Sequence, residues 1–209
     1  MSLDEIFTIS SSTAPPSSGP LTFHQLTGPR VTVRPLTPTD IEPLFNTTDE
    51  STFKYMWFGP FPTLASFTEG LHTRASRPTW TTHVFISNAT SRIIGSASYH
   101  QIDPINKTVE IGAIWVGEEY QGKGLAREAV ALMVWQAFRL WGFVRVEWKT
   151  HHENTSSQAL ALSSGMQFEG KFRKHMYYKG GFRHTMWYAV VDDDYPEVET
   201  RLLEKLKPK

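Results

Sequence analysis

The sequence of 209 residues contains no cysteine. Disulfide frameworks, thiolate metal sites and cysteine nucleophiles are therefore all excluded. Net charge is also absent, because 21 Lys and Arg residues balance 21 Asp and Glu residues. No overall field therefore favours nucleic acid or an anionic membrane surface. The apolar run Val130–Trp135 is far shorter than the roughly 18 residues that a membrane span requires.

The start of the chain lacks the features of a secretion signal. Asp4 and Glu5 stand where a signal peptide carries positive charge ahead of an apolar stretch. We therefore expect a cytoplasmic protein. With 40% hydrophobic and 13% aromatic residues, the composition is that of an ordinary globular protein, and the length suits one domain with terminal extensions.

Composition along the chain divides it into three parts. Ser, Thr and Pro dominate residues 8–20, which contain little that could be buried. We expect a flexible leader over residues 1–28, one folded domain over residues 29–192 and a C-terminal helical extension over residues 193–209.

Apolar periodicity predicts a mixed α/β domain. The predicted strands span residues 31–35, 80–87, 93–102, 108–116, 144–150, 167–178 and 182–191, and the predicted helices span residues 37–44, 63–75, 123–141 and 155–164. Three consecutive strands between residues 80 and 116 form an antiparallel meander. The longest helix follows it and carries apolar residues three and four positions apart.

A glycine-rich turn, Gln121-Gly122-Lys123-Gly124-Leu125-Ala126, joins the meander to this helix. Glycines let the backbone approach a ligand, and the first N–H groups of a helix have no partner within it, so such a turn favours anions. The Rossmann fingerprint fails here because Arg127 replaces its third glycine. The P-loop fails because Gly124 replaces the Ser or Thr that ligates magnesium. A tight turn without a ligand is the remaining alternative.

The order Gln-x-x-Gly-x-Ala, after a meander and before a long helix, resembles motif A of the GCN5-related N-acetyltransferase (GNAT) superfamily. Four further elements match its RimJ/RimL-like branch in order: Glu110-Ile111-Gly112, Tyr120-Gln121-Gly122-Lys123-Gly124, Asn154-x-x-Ser157, and Gly165 followed by Glu169-Gly170. The resemblance covers about residues 30–191. It implies the GNAT fold, in which a mixed, mostly antiparallel sheet with flanking helices splays open between its fourth and fifth strands, here about residues 108–116 and 144–150.

The resemblance also implies acetyl-CoA as cosubstrate, with no metal. The pantetheine arm would pair with the exposed backbone of the fourth strand as a missing strand would, and the glycine-rich turn would hold the pyrophosphate. The implied coenzyme-binding residues are Ile114, Trp115, Val116, Gln121, Gly122, Lys123, Gly124, Leu125, Ala126, Arg127, Asn154 and Ser157. Asn154 is equally suited to cap the following helix.

Two residues are candidates for the chemistry. Amide formation requires a neutral amine, and Glu110, which interrupts an apolar strand, is the expected general base. The alternative is a surface-facing glutamate. Many family members use a Tyr as general acid, but its position here is Ala161. By resemblance, Ser157 lies near the sulfur and could donate a proton instead.

The acceptor is expected to be a small-molecule amine or a peptide N-terminus. By resemblance, Tyr55, Trp57 and Phe58 wall the acceptor site, although the aromatic segment that also includes Phe61 could form a satellite core. No nucleic acid or membrane partner is expected, and both monomers and homodimers occur in the family. The rival functions are a non-catalytic acyl-CoA-binding module and a peptide- or nucleotide-binding domain without coenzyme A.

Two other clusters favour ordinary structural roles. The pair His151-His152 lacks a third ligand at metal spacing, which indicates a loop pair. A basic run is typical of a solvated face but could attract an acidic acceptor or a phosphate. Its members are Lys171, Arg173, Lys174, Lys179 and Arg183.

Overall fold

A computed structural model describes residues 3–9 and 21–206. Within these residues nine strands form one sheet, and they are numbered in chain order. They are β1 (Thr8–Ile9), β2 (Leu26–Thr27), β3 (Val31–Pro35), β4 (Thr81–Ser87), β5 (Ile93–Asp103), β6 (Thr108–Val116), β7 (Arg145–His151), β8 (Gln167–Tyr178) and β9 (Gly181–Val191). Their order in the sheet is β1-β2-β3-β4-β5-β6-β7-β9-β8, and every pair is antiparallel except β6–β7.

In the described part of the chain, six α-helices flank the sheet. They are α1 (Leu3–Ile6), α2 (Ile41–Phe45), α3 (Leu64–Ala75), α4 (Leu125–Trp135), α5 (Thr155–Ser163) and α6 (Tyr195–Leu206). The chain continues from α4 through a π-helical turn, Gln136–Leu140. Apolar residues three and four positions apart are compatible with an α-helix that contains a π-helical turn. The pattern therefore predicted one continuous helix over residues 123–141 and did not indicate the π-helical turn.

The two faces of the sheet bury separate cores. Successive residues of a strand point to opposite faces, and Val84 and Phe85 of β4 accordingly belong to different apolar clusters. The larger cluster contains the buried face of α4 together with α6. The smaller one contains Leu44 of α2 and Phe67 and Leu71 of α3.

The sheet opens between β6 and β7. These strands pair over only three positions, ending at Glu110 opposite Glu147. Beyond this point β6 contains a bulge, where the register with β5 shifts and Ala113 adopts a φ of 53°. A bulge bends its strand and increases the local twist. The expected mixed sheet and the opening between these two strands are thus confirmed.

The folded body extends further towards the N-terminus than expected. Leu3, Phe7 and Leu26 are buried in the larger core, and β1 pairs with β2 at the edge of the sheet. These apolar side chains explain why the flanking parts of the expected leader pack against the domain. The Ser/Pro-rich residues 10–20 lie outside the described residues, and their flexibility stays a prediction.

A buried carboxylate ties β3 to the first turn of α4. Glu128 Oε1 accepts hydrogen bonds from the backbone N–H groups of Arg30 at 2.6 Å and Val31 at 3.0 Å. Glu128 Oε2 lies 2.8 Å from Arg30 Nε. The Arg30 guanidinium also donates to the Lys123 carbonyl at 3.1 Å. The glycine-rich turn is therefore anchored to the sheet through Arg30.

We predict that Glu128→Ala lowers the free energy of unfolding by about 3–5 kcal/mol, because two backbone donors and a guanidinium lose a buried acceptor. Urea unfolding followed by circular dichroism measures this change. Glu204→Ala, an exposed position of α6, is the matched control and should change stability by no more than about 0.5 kcal/mol. Equal stability of the two variants would contradict the structural role of Glu128.

Candidate active site

A groove of about 520 Å³ lies where β6 and β7 part, with the glycine-rich turn and α5 forming its other walls. It brings together most of the residues implied as coenzyme ligands. Those that line it are Ile114, Trp115, Val116, Gln121, Gly122, Gly124, Ala126, Arg127, Asn154 and Ser157. Lys123 and Leu125 do not line the groove. Lys123 is exposed and reaches over the Tyr120 ring, whereas Leu125 packs against the larger core.

The turn presents its backbone donors without acceptors. Within the described residues, no backbone or side-chain acceptor meets the N–H groups of Gly122 to Arg127. Gly122 and Gly124 adopt φ angles of 71° and 77°, in the left-handed region that favours glycine. The unpaired donors and the N-terminus of α4 together form a site suited to an anion.

Two guanidinium groups flank this turn. A Cβ atom on Gly124 would lie 3.4 Å from Arg127 Nη2 and 3.6 Å from Arg30 Nη2. Arg127 Nε is buried without a hydrogen-bond partner among the described residues. The space beside Gly124 therefore lies between two cations, an arrangement that favours binding of a diphosphate. Arg30 was missed from sequence because it precedes the turn by about ninety residues and meets it only in the folded structure, through Glu128 and the Lys123 carbonyl.

Asn154 and Ser157 stand at the start of α5, on the side of the groove opposite β6. Asn154 Oδ1 accepts from the Ser157 N–H at 3.1 Å and so caps the helix. The Ser157 hydroxyl oxygen accepts from Trp148 Nε1 at 3.1 Å. Because the indole is the donor in that bond, the hydroxyl proton of Ser157 remains available to a group in the groove.

Glu110 is buried at the point where the strands part, not on the surface. It is 6% exposed, and burial raises its pKa to about 7, against the opposing effect of the Lys149 ammonium. Glu110 Oε2 accepts from Lys149 Nζ at 2.8 Å. A carboxyl group with this pKa exchanges its proton readily near neutral pH.

Lys149 bridges the two glutamates that face each other at the last strand pair. Its Nζ lies 2.8 Å from Glu110 Oε2 and 2.9 Å from Glu147 Oε2, and 4.1 Å from the centre of the Trp187 ring. Burial lowers the pKa of Lys149, but Glu110 and Glu147 raise it above its ordinary value. Lys149 is thus protonated and paired with both glutamates. Sequence analysis did not identify it as a site residue.

His100 completes the surroundings of Glu110. Its Nε2 lies 3.5 Å from Glu110 Oε1, and its ring stacks on Trp80 with centroids 4.5 Å apart. Burial lowers the pKa of His100 to about 3, so the ring is neutral at physiological pH. A Cβ atom on Gly112 would lie 2.4 Å from His100 Nε2, which explains the glycine two residues after Glu110.

Two cavities meet at Glu110 beyond the groove. One of about 140 Å³ is lined by Tyr55, Trp57 and Phe58, the three residues implied for the acceptor site. It also contacts Ser157. The other, of about 530 Å³, is lined by Trp57 on the far side. Phe61 lines neither cavity and packs with the smaller core, so the aromatic segment serves both purposes.

The remaining sequence candidates occupy ordinary positions, with one exception. His151 and His152 stack on each other, and the described residues contain no cluster of three or more potential metal ligands. The basic run is exposed except for Arg183, which is buried between the two cavities. In the described part of the chain, no helix has the length and apolarity needed to cross a bilayer.

Comparison with known families matches residues 30–167, more than half of the chain, to the acetyltransferase (GNAT) domain. The chain belongs to the GNAT family. A crystal structure of a GCN5-related N-acetyltransferase from Brucella melitensis has 30% sequence identity and a TM-score of 0.83, with 94% of this chain and 90% of that chain covered. The Rossmann and P-loop alternatives are therefore excluded.

Curated GNAT relatives match over shorter stretches. The ribosomal-protein-serine acetyltransferase of Escherichia coli (strain K12) is 29% identical over 101 residues, covering 48% of this chain and 56% of that protein. The chain spans between 54% and 61% of the length of the curated relatives it matches. A spermidine N-acetyltransferase from Vibrio cholerae, in complex with CoA and spermine, shares the fold with a TM-score of 0.68 at 18% identity, covering 79% of this chain and 98% of that chain.

We predict that the Glu110 carboxyl titrates near pH 7, following its pKa of about 7, in carbon-detected NMR of the side chain. Lys149→Met should move this titration to higher pH, because the ammonium that favours the charged carboxylate is removed. Lys171→Met is the matched control at an exposed lysine and should leave the titration unchanged. Titration of Glu110 near pH 4.5 in the unaltered protein would show that burial is not the dominant effect.

Proposed function

We propose that this protein is an acetyl-CoA-dependent N-acetyltransferase that acts on a primary amine through direct attack in a ternary complex. The observation that carries the proposal is the continuity of the site. The groove with its unpaired N–H donors at Gly122–Arg127 leads to Ser157, and from there to a cavity that contains the buried carboxyl of Glu110. Family membership and the named activities of its relatives support the same assignment.

The chain offers a separate set of groups to each part of the coenzyme. The donors of the glycine-rich turn, with Arg30 and Arg127 beside them, suit the pyrophosphate. The backbone of Ile114 to Val116 lies beyond the last β6–β7 pair, which suits strand-like pairing with the pantetheine amides. When bound, acetyl-CoA supplies an activated acetyl thioester, whose acetyl group passes to the amine nitrogen as the carbon–sulfur bond breaks.

Glu110 has the properties of the general base. The attacking amine must lose a proton, and a carboxylate with a pKa near the working pH accepts it efficiently. Burial beside Lys149 places the pKa of Glu110 at about 7. Burial lowers the pKa of His100 to about 3, so its ring is a much weaker base than the Glu110 carboxylate. Ser157 could donate its hydroxyl proton to the departing sulfur, which could also leave as a free thiolate, whereas Ala161 is buried and has no proton to give.

The acceptor class within this function is a small-molecule amine or a protein N-terminus, in a cytoplasmic setting and in a monomeric or dimeric protein. A non-catalytic acyl-CoA-binding module is the second candidate, because it would keep the groove. The buried Glu110 at the end of the groove favours catalysis, since a binding module needs no proton acceptor there.

Acetyl-CoA at 100 times its Kd should raise the Tm by about 5–10 °C. In Gly124→Ala the methyl group enters the space between Arg127 and Arg30, and we expect roughly 10- to 100-fold weaker binding, which cuts the shift by at least half. Gly142→Ala is the matched control, because Gly142 also has a positive φ, 65°, with no atom within 4 Å of its added Cβ. Equal shifts in both variants would remove the turn from the coenzyme site.

Glu110→Gln should lower kcat by roughly 100-fold or more while leaving acetyl-CoA affinity unchanged. In the unaltered protein the base works only when deprotonated, so kcat/KM should rise with pH and reach half its maximum near the pKa of Glu110, about 7. Glu147→Gln, on the facing strand, is the control and should retain most of the turnover, with the pH limb moved to lower pH because a neighbouring negative charge is lost.

Turnover is measured as the release of the coenzyme A thiol from acetyl-CoA in the presence of each amine of a panel. Since the chain has no cysteine, a thiol reagent reports only the released coenzyme. Undiminished turnover in Glu110→Gln would remove this residue as the base. A thermal shift without thiol release from any amine would favour the binding module, and the absence of any shift would count against both functions.

A further inference from the structure

Arg183 is a buried cation that faces the acceptor cavities. It is 7% exposed and lines both the 140 Å³ and the 530 Å³ cavities, as Glu110 does. Its Nε donates to Thr185 Oγ1 at 3.1 Å, and its Nη1 donates to the Tyr55 carbonyl at 3.5 Å. Both partners are neutral.

No carboxylate among the described residues forms an ion pair with Arg183. Burial lowers its pKa, while Tyr178 and Glu110 oppose that effect. A buried guanidinium without an anion is costly, because it has lost hydration without gaining a charged partner. Lys149, a partly buried cation nearby, has two carboxylates within 3 Å. The contrast indicates that Arg183 is arranged for direct contact with an anion that none of the described residues supplies, since Glu110 acts on it without forming an ion pair.

The charges around the larger cavity point the same way. Three cations line it, Arg77, Lys149 and Arg183, and Glu110 is the one acid among its lining residues. His100 is neutral because burial lowers its pKa to about 3. Arg77 reaches over the Trp57 ring, 5.0 Å from its centre. An acceptor in this cavity can therefore contact the Glu110 carboxylate through its amine, and it can contact the Arg183 guanidinium, which has no ion-pair partner among the described residues, through an anionic group.

We propose that the acceptor amine carries a carboxylate, which Arg183 binds while Glu110 receives the proton of the amine. This inference rests on the proposed function and narrows its substrate class. The carboxylate belongs either to a free α-amino acid or to an acidic side chain at a peptide N-terminus. A guanidinium offers two parallel donors to such a group, which fixes orientation as well as charge. Polyamines are disfavoured, since their second ammonium would face Arg183.

The experiment compares acceptors that differ in one carboxylate. One arm pairs L-phenylalanine with L-phenylalaninamide, and the other pairs Asp-Ala-amide with Asn-Ala-amide; spermidine is the cationic comparison. The amine of phenylalaninamide is the less basic, so a preference for the free acid cannot come from easier deprotonation. Two quantities are measured: kcat/KM from thiol release with acetyl-CoA, and Kd by calorimetry with coenzyme A in place of acetyl-CoA.

Arg183→Met and Arg183→Lys test the residue itself. We expect the carboxylate member of at least one pair to exceed its amide by roughly 10- to 100-fold, in kcat/KM and in affinity. Arg183→Met should abolish the preference, and Arg183→Lys should keep part of it. Arg173→Met, an exposed arginine of the same basic run, should retain it in full. Acetyl-CoA binding and Tm serve as checks that each variant is folded.

The proposal would be overturned by amides that bind and react as well as acids in both arms, or by a preference that survives in Arg183→Met. Efficient acetylation of spermidine with no acid preference would do the same. If Arg183→Met fails to fold, the paired acceptors with unaltered protein still decide. A carboxylate preference in binding without any turnover would support the role of Arg183 and count against the enzymatic function alone.

Discussion

The parting of β6 from β7 is the constraint on which the site depends. Backbone N–H and C=O groups need partners, and a sheet closed along its full length would satisfy those of β6 with β7. Here pairing ends at Glu110 and Glu147, and the bulge at Ala113 bends the strand beyond them. The same opening leaves the backbone of β6 unpaired on this side, so that a ligand can bind to it. The start of α5 lies beside the opening, and the Glu110 side chain faces the two neighbouring cavities.

The two cations at this opening differ in their partners, since Lys149 is paired with carboxylates and Arg183 is not. Lys149 holds two carboxylates and so stabilises the end of the parallel pair, while its ammonium moderates the effect of burial on Glu110. Arg183 is left with neutral partners. The partly buried Lys149 is thus paired with carboxylates, whereas the buried Arg183 is the cation that we propose binds the carboxylate of the acceptor. The charge of the substrate would then be recognised by Arg183 of β9, which is distant in sequence from the glycine-rich turn.

The sequence predicted the parts of this structure that depend on local patterns. Strand alternation, helical periodicity and the glycine-rich turn located nearly every element, and Glu110 stood out because it interrupts an apolar strand. The N-terminal strands were missed because two-residue strands carry no period. Lys149 and Arg183 were missed as site residues because their burial depends on pairing across β6, β7 and β9. In the sequence Arg183 is one of several similar basic residues, and only packing separates it from its exposed neighbours.

The ion pair of Arg30 and Glu128 sets the N-terminal limit of the segment that holds the glycine-rich turn in place. Arg30 is also the first residue matched to the GNAT domain, and its guanidinium reaches the Lys123 carbonyl. A shortened chain that started at Val31 would keep every strand from β3 onward, yet it would lose β1 and β2 and also the tether between Arg30 and the glycine-rich turn. A shortened chain that preserves the glycine-rich turn must therefore keep a side chain that joins two distant segments, and not only the strands of the sheet.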